Sequence, residues 1–135
     1  RAFEMRAARL GAQYDGYCPF EDACVQGAFT MGENIGDLSG VAVAYRAYRI
    51  SLGGEEAPVI DGLTGDQRFF MGYAQIWRNL YREDTLRRRL STDPHSPSEY
   101  RTNGIVRNLD AWYAAFDVQE GDALWLPPEE RVTIW

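Results

Sequence analysis

Apolar residues recur at helical spacing from almost the first position, and Phe3, Ala7, Leu10 and Tyr14 predict an opening helix. The pattern lapses over 15–29, where Cys, Pro and Gly punctuate a loop with room for a short strand, anchored by Val25, Ala28 and Phe29. It returns over 31–51, because Ile35, Leu38, Val41, Ala42, Tyr45 and Tyr48 form one stripe, and Gly53-Gly54 closes that helix. After a turn around Pro58–Gly62, Thr64-x-x-Gln67 has the form of a capping box. The helix it opens carries Phe69, Phe70, Tyr73, Trp77 and Leu80 on one face. A charged helix runs from Glu83 to Leu90 and stops at Asp93-Pro-His-Ser-Pro, since proline is excluded from helix interiors. Ser96, Pro97 and Glu99 read as cap, first helical residue and capping-box partner of a short helix through Arg101. A last short helix, Leu109 to Phe116, follows Asn108, and the tail with Pro127-Pro128 is expected to be largely irregular. No repeat or low-complexity segment interrupts this series, so the fold class is mainly α.

Composition narrows the partners. The 135 residues are 45% hydrophobic and 25% charged, enough for one core, and predict one domain or a piece of one. Net charge is −6, and all fourteen basic residues are arginine, so no basic field exists to hold a phosphate backbone. Nucleic acid is therefore not an expected partner, and Arg87-Arg88-Arg89 reads as the solvated face of a helix. No apolar stretch approaches the roughly 20 residues a membrane helix needs, and none of this segment is expected to contact a membrane. Helical patterning begins at once, with no capping residue before it, so Arg1 is expected to lie inside a longer polypeptide. Cys18 and Cys24 suit either a small disulfide loop, which implies an oxidising compartment, or two reduced thiols.

Candidate chemistry is concentrated in two stretches. Glu33 and Asp37 are one helical turn apart, which puts both carboxylates on one face. One can bind a metal while the other orients a ligating imidazole. Thr30-x-x-Glu33 is equally a capping box, with Asp37 a solvated acid near a helix N-terminus. His95, the sole histidine, follows Asp93 by two residues, so the carboxylate can orient the ring and the imidazolium can stabilise an oxyanion. Read blandly, it is an exposed loop histidine. Arg101 can hold a peptide carbonyl or make a surface pair, and Ile76-Trp77 pattern as core. A catalytic zinc site needs three protein ligands and an open position. One histidine and no H-E-x-x-H cannot supply it alone.

Taken in order, the segments Gly32-Glu33-Asn34-Ile35-Gly36-Asp37-Leu38, Ala44-Tyr45-Arg46-Ala47-Tyr48, Gln67-Arg68-Phe69-Phe70, Ala74-Gln75-Ile76-Trp77, Asp93-Pro-His95-Ser96-Pro97, Tyr100-Arg101-Thr-Asn-Gly104 and Pro127 to Trp135 resemble the neprilysin and endothelin-converting-enzyme family of zinc endopeptidases, bacterial members above all. The resemblance spans nearly the whole chain, from Ala12-Gln13-Tyr14 onward. Gly36 replaces a commoner alanine, and the two cysteines are not general to the pattern. The resemblance implies the C-terminal helical portion of a thermolysin-like zinc peptidase catalytic domain, with the H-E-x-x-H helix in an N-terminal portion preceding Arg1. It implies Glu33 as the third ligand of one shared zinc ion, Asp37 as the acid supporting a zinc-bound histidine, and His95 as the oxyanion stabiliser oriented by Asp93. It also implies that Arg101 holds the substrate backbone and that Ile76 and Trp77 line the pocket after the scissile bond. The expected activity is cleavage of peptides on the amino side of bulky hydrophobic residues, in an extracytoplasmic setting. The competing reading is a helical binding or structural module, or an inactive fragment, that retained the scaffold.

Overall fold

A computed structural model describes residues 1–135. The six helices are α1 (Ala2–Asp15), α2 (Gly27–Ser51), α3 (Gly65–Ile76), α4 (Glu83–Thr92), α5 (Ser98–Val106) and α6 (Asp110–Phe116), followed by a single 3-10 turn at Pro128–Glu130. The expected mainly α class is what is found. Only two isolated antiparallel bridges, Phe20 with Ala23 and Ile60 with Leu63, represent β structure, so the expected loop has no strand and is confined to residues 16–26, between α1 and α2.

Helix α2 is the axis of the molecule. It packs against α1 and α5, and α3 packs against α6. The stripe read from sequence supplies Leu38 and Val41 to a core that also holds Leu10, Tyr14, Val25, Phe70, Leu90, Ile105 and Val106. Tyr14 is fully buried, and its hydroxyl donates to the Tyr100 carbonyl at 2.9 Å, tying α1 to α5. The tail is more than irregular chain: Val132 and Ile134 fill the core from the C-terminal side, and the Val132 N–H donates to the Asn108 side chain at 2.8 Å. Cys18 and Cys24 are joined in a disulfide, which resolves the alternatives left by their spacing. No helix is long and apolar enough to cross a membrane.

Several boundaries differ from the sequence pattern, and at the starts of α2 and α5 the difference involves a partner distant in sequence. Helix α2 begins at Gly27, and the Asp15 carboxylate of α1 accepts from the Gly27 N–H at 2.6 Å. Thr30 consequently lies inside the helix, where its hydroxyl donates to the Gln26 carbonyl, and it forms no capping box with Glu33. Helix α3 has the expected Thr64–Gln67 capping box but ends at Ile76, leaving Leu80 fully exposed on the connection to α4 rather than on the aromatic face. Helix α5 starts at Ser98 with Pro97 before it and continues to Val106, so Ser96 is not its cap. That serine has been recruited elsewhere, as described below.

The close approach of α1 and α2 depends on glycine. A Cβ placed on Gly27 would overlap the Gly11 carbonyl, and one on Gly11 would lie 2.9 Å from the Met31 methyl. Gly27→Ala is expected to lower stability by about 1–3 kcal/mol, the usual cost of overpacking. Denaturant unfolding measures this directly, and an unchanged midpoint would mean that the two helices can separate without loss.

Candidate active site

The α2 face carrying Glu33 and Asp37 meets the 93–101 segment, and the four polar residues singled out in sequence pair across that seam. His95 lies between two carboxylates, with Nε2 at 3.0 Å from Glu33 Oε2 and Nδ1 at 2.8 Å from Asp93 Oδ1. The Asp93 oxygen also accepts from the His95 backbone N–H at 3.0 Å, which folds the loop into a tight turn and fixes the ring's direction. The other Asp93 oxygen is 2.8 Å from Arg89, one turn earlier on α4. Partial burial alone would raise the Asp93 pKa, but the two bonds from His95 and the Arg89 charge outweigh it and hold this carboxyl below its ordinary range. Asp93 therefore stays ionised in mildly acidic solution.

One turn along α2, Arg101 grips Asp37 with both fork positions, Nε and Nη2 each donating at 2.7 Å. This is the bidentate geometry that favours arginine over lysine. The bonds to Asp37 push the guanidinium pKa further up, against the opposing effect of burial. The pair is not a surface salt bridge, since the two side chains retain only 15% and 13% of their exposure. The guanidinium stacks over the Trp77 ring at 4.0 Å. Tyr73 donates to the Arg101 carbonyl at 2.5 Å, and burial followed by the nearby Asp37 charge drives its phenol pKa well up. Trp77 is thus half-buried at the end of α3, whereas its neighbour Ile76 is largely exposed, contrary to a core pattern for both.

Sequence reasoning paired Asp93 with His95 but did not say that Glu33 would meet His95 or that Asp37 would meet Arg101. Arg89 and Tyr73, which hold Asp93 and the Arg101 backbone, were not singled out. Nor was Asn34 given a role, although it falls four residues before Leu38 on the buried stripe of α2. A polar side chain on an apolar stripe is the signal that would have marked it.

Comparison with known proteins decides the family. The pattern of peptidase family M13 matches residues 1–132. This chain belongs to peptidase family M13. The M13 chain is 38% identical to neprilysin-1 of Caenorhabditis elegans over 119 residues, 84% of this chain and 16% of that protein. It is 34% identical to endothelin-converting enzyme 1 of Cavia porcellus over 137 residues, 99% of this chain and 18% of that one. Among solved structures, the Mycobacterium tuberculosis zinc metalloprotease Zmp1 bound to an inhibitor superposes with a TM-score of 0.96 at 56% identity, covering 98% of this chain and 21% of Zmp1. The all-helical M13 segment accordingly corresponds to the helical C-terminal portion of neprilysin-like peptidases, and it spans about a fifth of the length of those relatives.

The donor chemistry shows what part of a zinc site this M13 chain can furnish. The Glu33 carboxylate is 45% exposed and faces His95, so it presents an accessible anionic oxygen of the kind a metal accepts as a donor. No three His, Cys, Asp or Glu side chains gather to hold a metal within the chain. The residues present fit one ligand of a three-ligand site and do not fit a complete one.

Proposed function

We propose that residues 1–135 are the C-terminal segment of the catalytic domain of a zinc endopeptidase that cleaves peptides on the amino side of bulky hydrophobic residues. The observation that carries this reading is the pairing of two sites one turn apart on α2: Glu33 with His95 and Asp93, and Asp37 with Arg101 and Trp77. In the assembled enzyme Glu33 would hold the zinc ion, with two histidines of an H-E-x-x-H motif in the N-terminal portion as the other protein ligands. Zinc in such a site acidifies water and polarises the peptide carbonyl. With Glu33 turned to the metal, His95, still steered by Asp93, would offer to a developing substrate oxyanion the Nε2 hydrogen that here faces Glu33. Arg101 keeps Nη1 uncommitted to Asp37 and offers it to a substrate carbonyl, orienting the backbone. Asp37, fixed by Arg101, presents its carboxylate to the ring N–H of a zinc-bound histidine. Trp77 and Ile76 then form a wall of the pocket after the scissile bond, and the exposure of Ile76 leaves it free to meet a bulky side chain. The disulfide supports an extracytoplasmic setting.

The test is metal analysis and peptide cleavage on the full-length protein. About one zinc per molecule, activity lost to a chelator and regained with zinc, and cuts before Phe or Leu in preference to Ala or Gly are expected. A protein that retains no zinc, or that cleaves without preference, would refute the assignment.

A further inference from the structure

Two of the most deeply buried polar side chains in the molecule are bonded to each other. Asn34 and Ser96 each retain 1% of their exposure, and the Ser96 hydroxyl donates to Asn34 Oδ1 at 2.7 Å across 62 residues of sequence. They immediately follow Glu33 and His95 in the chain.

We infer that the Asn34–Ser96 hydrogen bond is a positioning device that sets the spacing between His95 and Glu33, and that this spacing, rather than substrate affinity, is what it contributes to turnover. The inference rests on the catalytic reading above.

The bond has a defined direction. Asn34 Nδ2 is committed to Thr30 Oγ1 at 2.9 Å, and the Thr30 hydroxyl donates to the Gln26 carbonyl at 3.1 Å. The amide oxygen is therefore the end that faces the loop, and it requires a donor. Ser96 is the residue that supplies one. The series continues through the Gln26 side chain, which donates to the Leu90 carbonyl near the end of α4 at 3.1 Å. One turn of α2 and both ends of the 90–96 stretch are thus linked by oriented bonds, of which the two made by the Asn34 side chain are buried. A buried amide and hydroxyl are costly unless paired, so their geometry is far more sharply specified than that of an apolar contact of equal size. From the other side, the Ser98 hydroxyl is held by Asn79 at 3.0 Å and by Tyr81 at 2.6 Å. The loop carrying His95 is fixed on both flanks, and apart from the exposed His95–Glu33 contact itself it is the buried Asn34 bond that joins it to the turn that bears Glu33.

In the full-length enzyme, Ser96→Ala is expected to lower kcat by about 10- to 100-fold, the range associated with a misplacement on the order of 1 Å, with KM and zinc content nearly unchanged. In a His95→Ala background the same change should have little further effect, because the residue it positions is gone. Crystal structures of the two enzymes read the spacing itself, and a longer or multiple His95–Glu33 separation in Ser96→Ala is expected. If that variant does not fold, Thr30→Val serves in its place: it frees the Asn34 amide to rotate and should lower kcat in the same sense. Equal losses in the wild-type and His95→Ala backgrounds would make the bond merely structural and overturn the inference, as would an unchanged separation. A wild-type protein without zinc or activity would instead overturn the catalytic reading, while the structural comparison would still report whether the bond sets the spacing.

Discussion

Replacing Glu33 with alanine is expected to strip the full-length enzyme of zinc and, with it, of peptidase activity, while leaving the fold intact. A catalytic zinc site typically has three protein ligands, and in the proposed arrangement this carboxylate is the one the chain supplies. The side chain is 45% exposed and its partner is the half-exposed His95, so its removal opens no core cavity. Exposed substitutions of that kind usually change stability by less than about 0.5 kcal/mol, which separates loss of metal from loss of structure. Zinc measured after gel filtration should fall from about one per molecule to a small fraction, with a thermal midpoint equal to that of the chelator-treated wild-type enzyme, since bound metal itself raises the midpoint. Glu33→Asp, one methylene shorter, should retain metal weakly and recover with added zinc. A Glu33→Ala protein that keeps its full zinc would remove Glu33 from the site.

The course of the fold was largely legible because helices advertise themselves by period. Leu38 and Val41 fell where the stripe put them, and Thr64 with Gln67 formed the cap their spacing announced. Helix ends were less legible, since they were decided by partners distant in sequence. Asp15 extends α2 back to Gly27, an acceptor that belongs to another helix and that no local pattern reveals. Ser96 has every feature of a capping residue, yet its hydroxyl is taken by Asn34 across the molecule. The site divides in the same way. That Glu33 and Asp37 share a face follows from the helical repeat, whereas the choice of His95 for one and Arg101 for the other is made by how the 93–101 segment lies on α2. Trp77 read as core, and its ring is indeed covered, but by the guanidinium of Arg101.

His95→Ala is expected to lower turnover by about 100-fold, about 2.7 kcal/mol of transition-state stabilisation, the scale seen when one oxyanion donor is removed. Zinc content and KM should barely move, because the imidazole holds neither metal nor the ground-state substrate in the proposed arrangement. The direction follows from the geometry. Asp93 is ionised, bonded to the His95 N–H and ring, and backed by Arg89, so the ring is aimed before substrate arrives rather than by it. A donor aimed in advance stabilises developing charge without reorganising during the reaction, which is why its loss appears in kcat and not in binding. Asp93→Asn tests the aim separately: the amide keeps the shape but removes the negative charge that Arg89 backs beside the ring, and a loss smaller than that of His95→Ala is expected. The two losses should not add in the double variant, since Asp93 acts through His95. Turnover in His95→Ala equal to that of the wild-type enzyme would refute the role, and a tenfold rise in KM at constant kcat would assign the imidazole to substrate binding instead.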